Sequence, residues 1–126
     1  MIILDTSVLV ALLLEKDHYH EKAVNLITHL EEQAAMPNSV LVETFGALRH
    51  FTKNDSFVAT SIKRLAEEHT IIAEGLEVIQ PAYIEYFQNF SRLSLIDCEL
   101  VQLQKQLGIR VLTFDEELSK ELEKNG

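Results

Sequence analysis

Met1-Ile2-Ile3-Leu4-Asp5-Thr6-Ser7 opens the chain with apolar residues that run straight into a polar cluster. A short β-branched and apolar run with so abrupt an end reads as a buried strand over residues 2–4, and Asp5-Thr6-Ser7 reads as the start of a helix. Asp5 therefore stands at the carboxyl end of the first strand, where open α/β sheets place their ligand crevice.

The rest of the chain repeats that alternation. Residues 7–15 and 18–33 have helix-forming composition, with a break at Lys16-Asp17, and Ala23, Leu26, Ile27 and Leu30 recur at helical spacing. Ala34 to Met36 reads as a second strand, and Pro37-Asn38-Ser39 supplies a stop and an N-cap for a helix to about Thr52. Asp55-Ser56 starts another, ending near His69, and Thr70 to Val78 is extended in character but broken by Gly75. Gln80-Pro81 opens a helical stretch to about Arg92. Ser94 caps a helix carrying Ile96, Leu100, Leu103 and Leu107 on one stripe, ended by Gly108. Ile109 to Phe114 is a clear strand, and Asp115 to Lys124 a terminal helix with paired acids in its first turn. Strands separated by helices predict an α/β domain with a central parallel sheet of about four to five strands, flanked by helices on both faces. No repeat, linker or low-complexity tract divides residues 1–126.

The 126 residues are 47% hydrophobic and 25% charged, the balance of a packed protein with one core. A formal charge of -9 argues against a broad basic face that binds nucleic acid by phosphate neutralisation alone. It does not exclude a nuclease, because carboxylates that hold cations count as bare negative charge in such a tally. Cys98 is the sole cysteine, which rules out an intramolecular disulfide and a zinc site built on several thiolates. With no basic n-region, and an apolar stretch from Val8 to Leu14 too short to span a bilayer, the expected location is the cytoplasm, away from membranes.

Four acids stand out, and each has an innocent explanation. Asp5 can be an N-cap. Glu43, on a helical strip with Ser39, Gly46 and His50, can be a solvated flank acid. Asp97 completes a capping box in Ser94-Leu95-Ile96-Asp97, and Thr113 with Glu116 can make another around Asp115. The functional argument is joint: two acids at strand ends and two on helices that can abut those ends would converge on one crevice. Two carboxylates ~5 Å apart repel by roughly 3 kcal/mol at an effective dielectric near 20, so convergence demands protonation or a cation. An oxygen-only, carboxylate-rich site suits Mg²⁺ or Mn²⁺ rather than zinc.

With these residues in order, the chain resembles PIN-domain ribonucleases, and among them the VapC-type toxins of toxin–antitoxin pairs. The resemblance spans essentially the whole chain and rests on Ile2-Ile3-Leu4-Asp5-Thr6-Ser7, Glu43 in the helix after Pro37, Leu93-Ser94-Leu95-Ile96-Asp97 and Leu112-Thr113-Phe114-Asp115. It implies a metal-dependent endoribonuclease in which Asp5, Glu43, Asp97 and Asp115 hold Mg²⁺ or Mn²⁺. It further implies that Thr6 or Ser7 supports the site through its hydroxyl, that Glu116 is a helper, and that the protein forms a homodimer and pairs with an inhibitory antitoxin.

RNA contacts are expected from scattered cations: Arg49, His50 and Lys53 beyond Glu43, and Arg92. Their bland reading is solvated surface charge. His18 and His20, flanking Tyr19, read as surface residues at a helix start. Two rival functions compete. A receiver-like phosphoacceptor domain shares the acidic α/β character, but Asp5 has no adjacent acid and no Lys ends the last strand. A catalytically inactive PIN-like scaffold that only binds a protein partner is the other.

Overall fold

The structure, a computed structural model, describes residues 1–89 and 92–124. Its elements run β1 Ile2–Leu4, α1 Thr6–Leu13, α2 His20–Thr28, β2 Ala34–Pro37, α3 Asn38–Phe51, α4 Asp55–Glu68, β3 Thr70–Ile72, α5 Leu76–Asn89, α6 Leu95–Leu107, β4 Arg110–Leu112 and α7 Glu116–Lys124. Four strands form one parallel sheet in the order β3-β2-β1-β4, with Ile2 beside Ala34 and Arg110, and Ala35 beside Thr70.

Ile2, Ile3 and Leu4 are all buried, as an interior parallel strand covered on both faces requires. Because parallel crossovers are right-handed, the steps from β1 to β2 and from β2 to β3 place α1 to α4 on one face. The return from β3 across the sheet to β4 places α5 and α6 on the other. The helix contacts divide the same way: α1 packs on α2 and α3, α3 on α4, and α6 on α5 and α7. The direction of winding reverses between β1 and β4, so their carboxyl ends form the topological switch point of the sheet.

Several local readings shift. The second helix is confined to His20–Thr28, and β3 to Thr70–Ile72. The fifth helix begins at Leu76 rather than at Gln80-Pro81, so Pro81 lies inside it. A proline there cannot donate to the carbonyl four residues back, that of Glu77. Gln106 on α6 donates its Nε2–H to that carbonyl at 2.6 Å, so tertiary packing satisfies the group that the proline strands. The far end of that stretch, residues 90–91, lies outside the described residues. Ser94 and Asp97 form the expected reciprocal capping box, and Gly108 ends α6 in the left-handed region at φ 66°.

A Cβ at residue 108 would meet no atom within 4 Å, so only the backbone opposes substitution there. Gly108→Ala is expected to lower the unfolding free energy by about 1 kcal/mol in urea denaturation, with the slope of the transition unchanged.

Candidate active site

Asp5 is 3% exposed at the switch point, a position that would be costly for an unsatisfied carboxylate. Its Oδ2 accepts two hydroxyl protons, from Ser7 Oγ at 2.9 Å and from Thr113 Oγ1 at 2.7 Å. Both hydroxyls are aimed by backbone amides: Phe114 N–H donates to Ser7 Oγ at 3.0 Å and Asp115 N–H to Thr113 Oγ1 at 3.0 Å. Asp5 N–H in turn donates to Leu112 O at 3.0 Å. The network therefore couples the end of β1 to the end of β4 and leaves Asp5 Oδ1 without a hydrogen bond among the described residues.

Asp115 and Asp97 follow the same rule. Asp115 Oδ1 accepts from Leu118 N–H at 3.1 Å, which makes Asp115, not Thr113, the cap of α7. Asp97 Oδ2 accepts from Ser94 N–H at 3.1 Å in the capping box of α6. On each of the three carboxylates one oxygen is anchored, and the other takes no hydrogen bond among the described residues. The innocent capping roles and an outward-facing acid thus coexist in the same side chains.

The three acids act on one another. Burial pushes the Asp97 carboxyl up to about 6, Asp5 and Asp115 push in the same direction, and the hydrogen bonds from Ser94 oppose them. Asp5 and Asp115 therefore lie near enough to Asp97 for their charges to be felt there. No three His, Cys, Asp or Glu side chains among the described residues close on a single point at ligand distance. The all-oxygen donor set and the free carboxylate oxygens fit a hard divalent cation.

Glu43 is not drawn into these hydrogen bonds. It is half-buried on α3, one turn beyond Ser39, and makes no hydrogen bond or ion pair among the described residues. The acid that Ser39 does meet is Glu99, which is 7% exposed and accepts from Ser39 Oγ at 2.8 Å. Burial, then Glu74, raise the Glu99 carboxyl, whereas Ser39 lowers it. The buried Oε1 of Glu74 has no hydrogen-bond partner among the described residues. Glu99 was legible in principle as an acid set among Cys98, Leu100 and Val101, where it needs a partner. Thr113 is the other residue that sequence reasoning undervalued. Of the two hydroxyls expected to support the site, Ser7 binds Asp5, whereas Thr6 Oγ1 is buried without a partner. Glu116 is exposed at the first turn of α7, lining a cleft with Asp115.

The expected RNA-contacting cations are dispersed. Arg49, His50 and Lys53 lie at or beyond the last turn of α3, which starts at the carboxyl edge of the sheet and carries them away from it. Arg49 pairs with Asp55 at 3.6 Å, and His50 meets Phe51 edge to face. Arg92 is nearer, at the entrance to α6, where it pairs with Glu117 of α7 at 3.5 Å. Such exposed pairs contribute little to stability and open easily. His18 is exposed as expected, but His20 is half-buried, with Nδ1 2.8 Å from Ala11 O.

The family model for the PIN domain matches residues 2–121. Among solved structures, the chain superposes on VapC20 of Mycobacterium tuberculosis, a toxin that cleaves the sarcin-ricin loop, with a TM-score of 0.84 and 23% identity over 95% of this chain and 94% of that one. FitAcB of Neisseria gonorrhoeae follows at a TM-score of 0.67 and 17% identity, over 98% and 94% of the two chains. At these identities the likeness establishes the fold. No curated protein sequence matches the chain.

Because the folded protein holds the Asp97 proton up to about pH 6, against an ordinary 3.8, raising the pH through this window costs stability, and the cost is complete above it. Asp97→Asn keeps an acceptor for Ser94 N–H and removes the charge. It is expected to raise stability at pH 7–8 by about 1–2 kcal/mol after allowance for solvent screening, with the gain vanishing toward pH 4. Thermal melts across pH check this; a gain that persists at pH 4 would show that charge is not its source.

Proposed function

As the chain belongs to the PIN-domain family, we propose that it is a metal-dependent endoribonuclease, the toxin of a toxin–antitoxin pair, acting at the crevice of Asp5, Asp97 and Asp115. The observation that carries the reading is the shared arrangement of those carboxylates: one oxygen of each is pinned by the fold and the other is left for a cation. When bound, Mg²⁺ or Mn²⁺ lowers the pKa of water and neutralises charge building on the phosphoryl oxygens.

The residues of the chain perform the rest. Ser7 and Thr113 hold Asp5 in one orientation and keep its Oδ2 occupied, so the ligand geometry is set before substrate arrives. Asp97 and Asp115 place two more acids from the starts of α6 and α7, and the Asp97 proton must leave before that oxygen can serve as a ligand. Glu43, half-buried on α3 with no hydrogen bond among the described residues, is the fourth candidate ligand. Arg92, on the rim, is suited to a phosphate if it releases Glu117, whereas Arg49, His50 and Lys53 are suited to more distant parts of a long RNA.

VapC20 is described as a toxin that cleaves RNA, which favours the same chemistry here. A toxin needs restraint, so an antitoxin protein is the expected partner, with a homodimer as the working assembly. Val42, Phe45 and Phe51 on α3, and Ile84 and Phe87 on α5, are exposed apolar residues that such partners can cover. Cytoplasmic action accords with a chain in which no described helix is long and apolar enough to cross a membrane.

The test is cleavage of a panel of structured RNAs by purified protein in Mn²⁺ or Mg²⁺, set against chelator and Asp5→Asn. Both controls are expected to abolish cleavage, and Thr113→Val to reduce it by about ten- to a hundredfold through loss of an outer-shell hydrogen bond. Mn²⁺ affinity, read by calorimetry, is expected to fall as the pH drops through about 6. Activity that survives Asp5→Asn would overturn the assignment of the site, and a folded protein that binds neither metal would favour a non-catalytic scaffold.

A further inference from the structure

Beside the acids lies an aromatic and cationic cluster that the proposed chemistry does not use. Tyr19, in the turn that leads into α2, stacks on Phe114 at a centroid separation of 5.0 Å and an interplanar angle of 26°. Lys22 of α2 places its Nζ 5.9 Å from the Tyr19 centroid and 5.3 Å from that of Phe114. Tyr19 is 41% exposed, a high figure for a ring with so good a packing partner. These three side chains line one open cleft of about 190 Å³ together with Asp115 and Glu116.

Two features separate this cluster from ordinary surface packing. Its position is locked to the reacting centre: the amide of Phe114 donates to Ser7 Oγ, which donates to Asp5, and the next residue is Asp115. Its cation is also uncommitted. Arg49, Lys63, Arg64, Arg92, Arg110 and Lys124 are engaged by carboxylates, whereas Lys22, like Lys16, Lys53, Lys105 and Lys120, makes no ion pair among the described residues, and of these five it is the one that lies against ring faces. In a chain of net charge -9, a free ammonium next to an acidic crevice is the local feature that attracts a phosphodiester.

We propose that Tyr19, Phe114 and Lys22 form a nucleotide subsite that seats single-stranded RNA next to the scissile phosphate. This rests on the ribonuclease reading of the Asp5 crevice. A base unstacked from its neighbours lies on the exposed Tyr19 ring, backed by Phe114, and the adjoining phosphate takes the Lys22 ammonium. Stacking tolerates every base, so the subsite selects unpaired strands rather than a sequence and favours cleavage in loops over duplexes. Double-helical RNA cannot present a base face to this ring without unpairing.

The experiment separates this subsite from the chemistry. The Asp5→Asn protein is titrated with a short, single-stranded, 2′-O-methylated RNA carrying one 2-aminopurine, read by fluorescence and by anisotropy, and with the same strand in a duplex. Single-strand binding is expected to quench the fluorophore, and the duplex to bind less well. Adding Tyr19→Ala is expected to weaken binding by about tenfold and remove the quenching, with Tyr19→Phe retaining both. Tyr19→Leu, which keeps an apolar partner for Phe114, is expected to behave as the alanine variant and so separates loss of the ring from loss of packing. Lys22→Gln is expected to weaken binding and lower the salt dependence by about one counterion, with Lys22→Arg restoring both. Unchanged binding and quenching in Tyr19→Ala, Tyr19→Leu and Lys22→Gln would overturn the subsite even where wild-type protein cleaves RNA. Equal affinity for the duplex would overturn it as well. Failure of wild-type cleavage, with Asp5→Asn still binding the strand through Tyr19, would instead count against the catalytic reading alone.

Discussion

Two hydroxyl protons converge on one oxygen of a buried carboxylate, and the geometry of the crevice depends on that convergence. Asp5 Oδ2 receives Ser7 from the first turn of α1 and Thr113 from the end of β4, segments more than a hundred residues apart in sequence. A charge buried to 3% exposure is tolerable only where such donors are fixed in advance. The amides of Phe114 and Asp115 supply that fixing by occupying the hydroxyl lone pairs, so that each hydroxyl has its proton directed at Asp5. The stability of the site and its orientation toward a ligand are therefore the same set of bonds.

The sheet makes this possible through its winding. β1 is flanked by β2 on one side and β4 on the other, and reversal of direction between β1 and β4 opens a gap at their carboxyl ends that no connection crosses. The starts of α6 and α7 then bring Asp97 and Asp115 to the rim, each with a capping bond to its own helix. Capping and ligation usually compete as explanations of a helix-start acid. The two roles are compatible on one carboxylate, because a capping bond occupies a single oxygen. Burial raises the Asp97 carboxyl, and the charges of Asp5 and Asp115 add to it.

Around this centre the protein distributes charge sparingly. Arg49, Lys63, Arg64, Arg92, Arg110 and Lys124 are tied to carboxylates on the surface, and Lys22 rests instead on aromatic rings beside Asp115. A broad basic face would bind duplexes and strands alike, whereas a cation beside an exposed ring, as in the proposed subsite, favours a strand whose bases are already free. Glu99, Ser39 and Glu74 form a separate buried polar set at the ends of β2 and β3, which ties α6 to α3 without entering the switch-point crevice.

Much of this was legible in the sequence. The apolar run Ile2 to Leu4 stopping at Asp5, the capping box of Ser94 and Asp97, Gly108 as a helix end and the strand before Asp115 depend on neighbours within a few residues, and local pattern reports such relations faithfully. These fixed the alternating α/β plan and drew attention to Asp5, Asp97 and Asp115. Helix α5 escaped local reading because the carbonyl stranded by Pro81 is satisfied by Gln106, a partner 29 residues beyond Glu77. Glu43 was brought forward by its helical strip, whereas the contact that Ser39 makes on that strip, with Glu99 of α6, depends on packing that local pattern does not report. Thr113 passed for a helix cap until β4 came to lie beside β1, and the stacking of Tyr19 on Phe114 joins rings 95 residues apart that no local pattern connects. By itself the sequence determined which segments become strands and helices and which acids stand at their ends, since those follow from periodicity and capping. Only the tertiary structure decided which oxygen of each acid is held and which is free, because that depends on donors brought from distant segments by the order of the strands.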